Sequence, residues 1–242
     1  MPRRGTPPFT LRRYLLKTWG CEDPAAFRLC GMDEVGRGAF AGPLVAAAVV
    51  LPHGWKHPLL KDSKQLTAPQ REHMAGLIHR RAHAVAVLEI SAHDINRRGL
   101  GWANVEIFRR LVDMVEADGY CCDGRLRIEA TQQVHCLVKG DSLIPAVSAA
   151  SIVAKVHRDA ILTRWHDDVP HYNWASNKGY GAPEHLAAIR EHGPHPEHRH
   201  VFIRHTLQMN LFETIAAADM SSAAADDDDE LALVEAALAA AE

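Results

Sequence analysis

The run Phe27-Arg28-Leu29-Cys30-Gly31-Met32-Asp33-Glu34-Val35-Gly36-Arg37-Gly38 passes from apolar residues through two adjacent acids to a glycine-flanked arginine. Its apolar part, Phe27 to Val35, is short and reads as a buried strand. Charge at the end of such a strand is costly unless it is paired or bound to a metal. Neighbours within a strand point to opposite faces, so Asp33 and Glu34 can serve one site only if the strand ends there and the chain turns. Gly36 and Gly38 permit that turn. The bland alternative is that both acids merely start a turn.

Outward from this run, Pro43 to Leu51 is a second apolar, valine-rich stretch of strand length. Thr67-Ala68-Pro69-Gln70 is a capping-box pattern with an early proline, opening a helix whose Met74, Leu77, Ile78 and Arg81 share one side. Val85 to Ile90 reads as a third strand. Val105, Phe108, Leu111, Val112 and Val115 then recur at helical spacing. A brief strand, Tyr120 to Cys122, ends at Asp123-Gly124, and another covers Val134 to Val138. A long helix follows from about Ala146 to Asp168. Strands early and helices later give an α/β fold, a mixed sheet layered with helices.

The 242 residues suffice for one ordinary domain with appendages. No stretch approaches the roughly 18 uninterrupted apolar residues of a membrane span. The N-terminus carries Arg3, Arg4, Arg12 and Arg13 without the apolar segment of a secretory signal. Five cysteines, an odd number without a C-x-x-C pair, read as reduced thiols of a cytosolic protein, so a cytoplasmic monomer is expected. The net charge of −3 conceals a division. Nine acids and no Lys or Arg lie in 213–242, leaving residues 1–212 with 27 basic against 21 acidic side chains, a net of +6. A mildly basic body can bind a polyanion.

Asp123 repeats the arrangement at Asp33: apolar strand, acid, then glycine nearby. Acids gathered at strand ends along one sheet edge suit Mg²⁺, which prefers oxygen ligands and keeps several waters. On the long helix, Ser148, Ser151, Lys155 and Asp159 are spaced three, four and four apart and form one polar stripe. Beside it Ala149, Ile152, Val153, Val156 and Ala160 make the face that docks on the sheet. The stripe would lie at the mouth of a site. An exposed Lys–Asp pair is the plain alternative.

Gly31-Met-Asp-Glu-Val-Gly-Arg-Gly-Ala-Phe-Ala-Gly-Pro43 resembles the signature of ribonuclease HII. The resemblance continues through Asp62-Ser63-Lys64, Asp123-Gly124, Lys139-Gly-Asp-Ser142 and Ser148-Ala-Ala-Ser-Ile-Val-Ala-Lys-Val-His-Arg-Asp159. Lys178-Gly-Tyr180 and His198-Arg-His-Val-Phe202 complete it. It implies a ribonuclease-H-like mixed β-sheet flanked by helices over 28–170. A basic lead-in would precede it over 1–27. A small C-terminal helical extension would cover 171–215, with one short helix near 183–192, followed by an acidic, alanine-rich, flexible tail over 216–242. It further implies an endonuclease that cuts the RNA strand of RNA–DNA hybrids and incises 5′ of single ribonucleotides embedded in duplex DNA. Two ions, Mg²⁺ or Mn²⁺, would be held by the catalytic quartet Asp33, Glu34, Asp123 and Asp159, and the products would be 5′-phosphate and 3′-hydroxyl ends. Four clustered acids repel without metal, so at least one is expected to resist ionisation.

By the same resemblance, Gly36, Arg37 and Gly38 approach the 2′-hydroxyl and Tyr180 stacks on the following sugar. Lys64, Ser151, Lys155, Arg158 and Lys178 are further substrate-binding candidates. Val35, His200-Val201 and Gly181-Ala182 depart from the family's commoner residues. A non-catalytic module binding nucleic acid or a sliding clamp on the same fold is the rival reading, and four retained acids favour the enzyme.

Two signals lie outside this frame. His185, His192, His195, His198 and His200 lack a fixed four-ligand zinc pattern and read as a polar, partly cationic surface near nucleic acid. Gln208-Met209-Asn210-Leu211-Phe212 resembles the bacterial sliding-clamp-binding pentapeptide, although Leu207, Leu211 and Ile215 also fit the inner stripe of a helix. If the pentapeptide is a docking segment, Leu211→Ala with Phe212→Ala abolishes clamp binding in a titration and leaves cleavage intact. Unchanged affinity for the clamp would refute it.

Overall fold

Strand β1 (Leu29–Val35) sits at the centre of a five-stranded sheet in a computed structural model that describes residues 10–60 and 63–204. Asp62, the Gln208–Phe212 pentapeptide, the 216–242 tail and the first residues of the lead-in lie outside the described residues, as does the Lys64 side chain. The strand order is β3-β2-β1-β4-β5, with β2 at Leu44–Val50, β3 at Ala84–Ile90, β4 at Gly119–Asp123 and β5 at Val134–Leu137. β1–β2 and β2–β3 pair antiparallel, whereas β1–β4 and β4–β5 pair parallel.

Helices cover both faces. Helix α1 (Leu11–Trp19) is capped by Thr10 and buries Leu15 in a small cluster with Leu29 and Val147. Helix α2 (Ala68–Arg81) begins with the capping box expected from its sequence: Thr67 Oγ1 accepts from the Gln70 amide and Gln70 Oε1 accepts from the Thr67 amide. Helices α3 (Ala92–Arg98) and α4 (Leu100–Met114) follow β3, and the short α5 (Gly140–Leu143) leads into the 24-residue α6 (Pro145–Asp168). On one face, α6 and α2 pack against Val45, Ala47 and Val49 of β2. On the other, α4 places Ile107, Phe108 and Leu111 against Cys30, Met32 and Cys122.

The α6 face is unusually close to β1. A Cβ at Gly31 would lie 2.2 Å from both the Ala146 carbonyl carbon and the Val147 nitrogen, so only hydrogen lets helix backbone rest on strand backbone there. The contact buries Val147, Ala149, Ala150, Ile152 and Val153. Complete burial of a Val or Ile side chain contributes about 1.5–3 kcal/mol.

Beyond α6, a 3₁₀ turn (Pro170–Tyr172), α7 (Trp174–Asn177) and α8 (Pro183–His192) form the C-terminal cap. The expectation of a histidine-rich surface fails here for two members. His185 and His198 have no exposed surface and pack against Tyr172 and Trp174. Their hydrogen bonds form a consistent neutral chain. His185 Nδ1 donates to the Tyr180 carbonyl at 2.8 Å, and its Nε2 accepts from Trp174 Nε1 at 3.0 Å. His198 Nδ1 accepts from the His195 amide, which leaves Nε2–H to donate to His185 at 2.9 Å. Asn96 of α3 clamps this segment to the body, donating to the His198 carbonyl at 2.9 Å and accepting from the His200 amide at 2.8 Å.

Two outcomes follow from this packing. Gly31→Ala should cost about 1–3 kcal/mol in urea unfolding, because α6 backbone must move to admit the methyl group; an unchanged midpoint would contradict the contact. Burial holds His198 down to about 3 in the fold, against about 6.5 in the unfolded chain. A depressed folded value gives stability that is complete above pH 6.5 and is lost as pH falls toward 3, by up to about 1.4 kcal/mol per unit for this group. His198→Gln should flatten that limb of a stability–pH curve.

Candidate active site

Parallel pairing of β1 and β4 sets the site. Met32 stands opposite Cys122, so the next residues, Asp33 and Asp123, end up side by side at the carboxyl edge of neighbouring strands. Ligand sites of α/β sheets favour this edge. Asp33, Glu34, Val35, Ser63, Arg71, Asp123, Asp141, Ser151, Lys155 and Tyr180 line a cleft of about 300 Å³ there. β1 does not end at Asp33 but continues to Val35. Asp33 and Glu34 therefore leave opposite faces and still reach one cleft, because it wraps over the end of the strand.

Each carboxylate has its own environment. Asp33 is 8% exposed. Burial first, then the charges of Glu34 and Asp123, push its carboxyl up to about 8 against the opposing hydrogen bonds from Ser151 and the Glu34 amide. The expected acid that resists ionisation is thus Asp33. Asp123 accepts from the Gly140 amide at 2.7 Å at the start of α5. Asp159 stands to one side: its Oδ1 accepts from Lys155 Nζ at 2.8 Å and its Oδ2 lies 3.9 Å from Arg71. Ser151 shares a hydrogen bond of 2.8 Å with Ser63. The polar stripe of α6 therefore runs from buried Ser148 through Ser151 and Lys155 at the cleft to Asp159 beside it.

Arg158 corrects the sequence reading. Its side chain is entirely buried and cannot meet a substrate phosphate. It donates to the carbonyls of Pro43 at 3.0 Å, Ala41 at 2.8 Å and Lys178 at 2.8 Å. Arg199, also without exposed surface, donates to the Gly42 carbonyl through Nε and Nη2, at 2.9 and 2.7 Å, and to the Gly36 and Arg37 carbonyls through Nη1. Burial, reinforced by the charge of Arg158, lowers the Arg199 guanidinium to about 9, still cationic at neutral pH.

These two arginines hold the Gly36–Gly42 loop in place. Gly36 has a φ of +87°, and a Cβ there would lie 2.2 Å from Arg158 Nε. The Gly179 carbonyl accepts from the amides of Phe40 and Ala41, at 2.7 and 3.0 Å, which ties the Tyr180 loop to the same knot. Arg37 and Gly38 remain exposed at its tip, and Tyr180, 37% exposed, lines the cleft. Lys178 Nζ instead donates to Thr163 at 2.8 Å. Sequence reasoning missed Arg71, Asp141 and Arg199. Asp141 and Arg199 lay within quoted motifs whose partners are distant in the chain, and Arg71 has no local signal for its approach to Asp159.

Among the described residues no three His, Cys, Asp or Glu side chains form a ready-made metal cage. The donor set nevertheless fits a hard divalent ion. Asp33, Glu34 and Asp123 offer oxygen alone, and such ions are commonly held by one or two carboxylates together with water and substrate phosphate.

Known proteins resemble this chain in sequence and fold. The family model described as ribonuclease HII matches residues 30–208. Ribonuclease HII of Synechococcus sp. (strain JA-3-3Ab) is 42% identical over 179 residues, covering 72% of this chain and 81% of that protein. Among solved structures, ribonuclease HII in the PCNA:RNase HII complex from Archaeoglobus fulgidus superposes with a TM-score of 0.62 at 24% identity, covering 71% of this chain and 91% of that one. Bst-RNase HIII in complex with Mn²⁺ gives 0.55 at 23% identity, covering 71% and 67%. With a matched segment that spans the acids of the cleft, the chain belongs to the ribonuclease HII family, enzymes that cut the RNA strand of RNA–DNA hybrids.

Proposed function

We propose that the protein incises DNA duplexes on the 5′ side of an embedded ribonucleotide, as well as long hybrids, leaving 5′-phosphate and 3′-hydroxyl ends. The observation that carries this reading is the convergence of Asp33, Glu34 and Asp123 on one cleft with Tyr180 and the glycine loop at its rim. Asp33, Glu34 and Asp123 would hold two divalent ions, Mg²⁺ or Mn²⁺, with Asp159 joining from α6. Such ions supply an activated water and stabilise charge on the leaving 3′ oxygen.

The chain's own groups do the rest. Lys155 and Arg71 neutralise Asp159 and place positive charge beside the scissile phosphate. Carbonyls of Gly36 and Arg37 turn inward to Arg199, while the Arg37 and Gly38 amides have no acceptor among the described residues. Outward amides suit a 2′-hydroxyl, which DNA lacks. Tyr180 offers a ring for the following sugar. Clamp docking through Gln208–Phe212 is a second part of the reading, supported by the pentapeptide and by a structural neighbour solved with PCNA.

The test is a duplex carrying one ribonucleotide, incubated with Mg²⁺ or Mn²⁺ and resolved on a sequencing gel. Incision 5′ of the ribonucleotide is expected, and Asp33→Asn should lower its rate by about 10³-fold or more. The same substitution should leave the metal-free protein folded with little loss of stability, because a carboxyl pushed up to about 8 is already mostly protonated at neutral pH. Cleavage of a long hybrid with the single-ribonucleotide duplex intact would refute the specificity proposed.

A further inference from the structure

Cys122 and Cys136 occupy paired positions on the parallel strands β4 and β5. Their sulfurs are 2.8 Å apart and both thiols are free. In-register residues of neighbouring strands share a face, and a strand spacing of about 4.8 Å lies within the Cα separation of about 4.4–6.8 Å that a disulfide spans. Cys122 is buried against the α4 face, whereas Cys136 is partly exposed on the edge strand. Among the described residues no other two cysteines are in sulfur contact. Cys121 meets the Tyr14 hydroxyl at 3.5 Å, and Cys21 donates to the Asp23 carbonyl.

We propose that Cys122 and Cys136 form an oxidisable dithiol, a modification site at which a peroxide or a small-molecule disulfide closes a cross-strand disulfide beside Asp123. With hydrogen peroxide, the Cys136 sulfur attacks one peroxide oxygen. The O–O bond breaks, giving a sulfenic acid and one water. The Cys122 sulfur then attacks that sulfur, the S–O bond breaks, and a second water leaves with the Cys122 proton. Two thiols and one peroxide thus yield one disulfide and two waters.

The consequence for activity rests on the nuclease reading. A disulfide requires sulfurs about 2.05 Å apart at a fixed dihedral, so closure from 2.8 Å reorients the backbone at the ends of β4 and β5. Asp123 follows Cys122 directly, and its carboxylate is held by the Gly140 amide just beyond β5. A shift of about 1 Å in a reacting group can cost about 10²-fold. Oxidation should therefore lower hybrid cleavage at least about tenfold, while closing the 122–136 loop raises the melting temperature.

The experiment treats the full chain with hydrogen peroxide and reads linkage by intact mass and peptide mapping, with cleavage measured in parallel. The expected result is a Cys122–Cys136 cross-link, a tenfold or larger loss of cleavage and recovery with dithiothreitol. Cys136→Ser should keep the activity of the reduced protein and lose the oxidation response, and Cys21→Ser should retain both. Oxidation at Cys21 with no 122–136 link would overturn the proposal, as would a complete link that leaves cleavage unchanged. Because linkage is read by mass, its failure is distinguishable from failure of the nuclease reading.

Discussion

The close seating of α6 on β1 at Gly31 is the constraint on which the site depends. Backbone rests on backbone, so the axial position of the helix is set by hard contact with Ala146 and Val147 rather than by deformable side chains. One turn on from that contact, Ser151 meets Asp33 at the strand's end. A further turn brings Lys155 to the cleft and the next brings Asp159 to Lys155. Helical periodicity then does what the sequence pattern anticipated, placing the polar stripe along the cleft while Ile152 and Val153 stay in the core.

The same helix supplies the second device. Arg158 is buried where no carboxylate among the described residues pairs with it, and Arg199 approaches from the C-terminal cap in the same way. Isolated buried charge is strongly unfavourable, and here carbonyl oxygens of Gly36, Arg37, Ala41, Gly42, Pro43 and Lys178 stand in for solvent. Those carbonyls belong to the loops that flank the cleft. Satisfying two guanidinium groups and shaping the cleft loops are thus one event, and either arginine, if removed, would leave several buried carbonyls unpaired.

Legibility in the sequence followed the range of the interactions. The strand ending in Asp33 and Glu34, the Thr67–Gln70 capping box and the 24-residue α6 were readable because each is specified by neighbours within a few residues. The strand end at Asp123 was readable for the same reason, but its choice over other acids rested on the family resemblance. Helix α3 was missed, since only Ser91 and a short polar segment announce it. Arg158 was misassigned because a cation on a polar-edged helix looks identical whether phosphate or carbonyl receives it. His185 and His198 looked like surface histidines, and the neutral chain linking them to Trp174 is visible only once residues 11 and 13 positions apart meet. Cys122 and Cys136, 14 residues apart, pair through sheet register and not through any local motif.

These features bear on how a fold tolerates several acids gathered at one cleft. The α6 seating forces Asp33 into a pocket where a charged carboxylate is disfavoured, with Glu34 and Asp123 close by. The chain meets that problem differently for each acid. Asp33 keeps its proton, Asp123 takes a backbone amide, and Asp159 is neutralised by Lys155 and Arg71. None of these arrangements uses a permanent, closed set of ligands, so under the proposed function each is free to be exchanged for a divalent ion and a phosphodiester. A site built from exchangeable partners on a rigid helix–strand contact keeps its geometry before any ligand enters, which suits the proposed chemistry, in which substrate phosphate would complete the coordination of the ions.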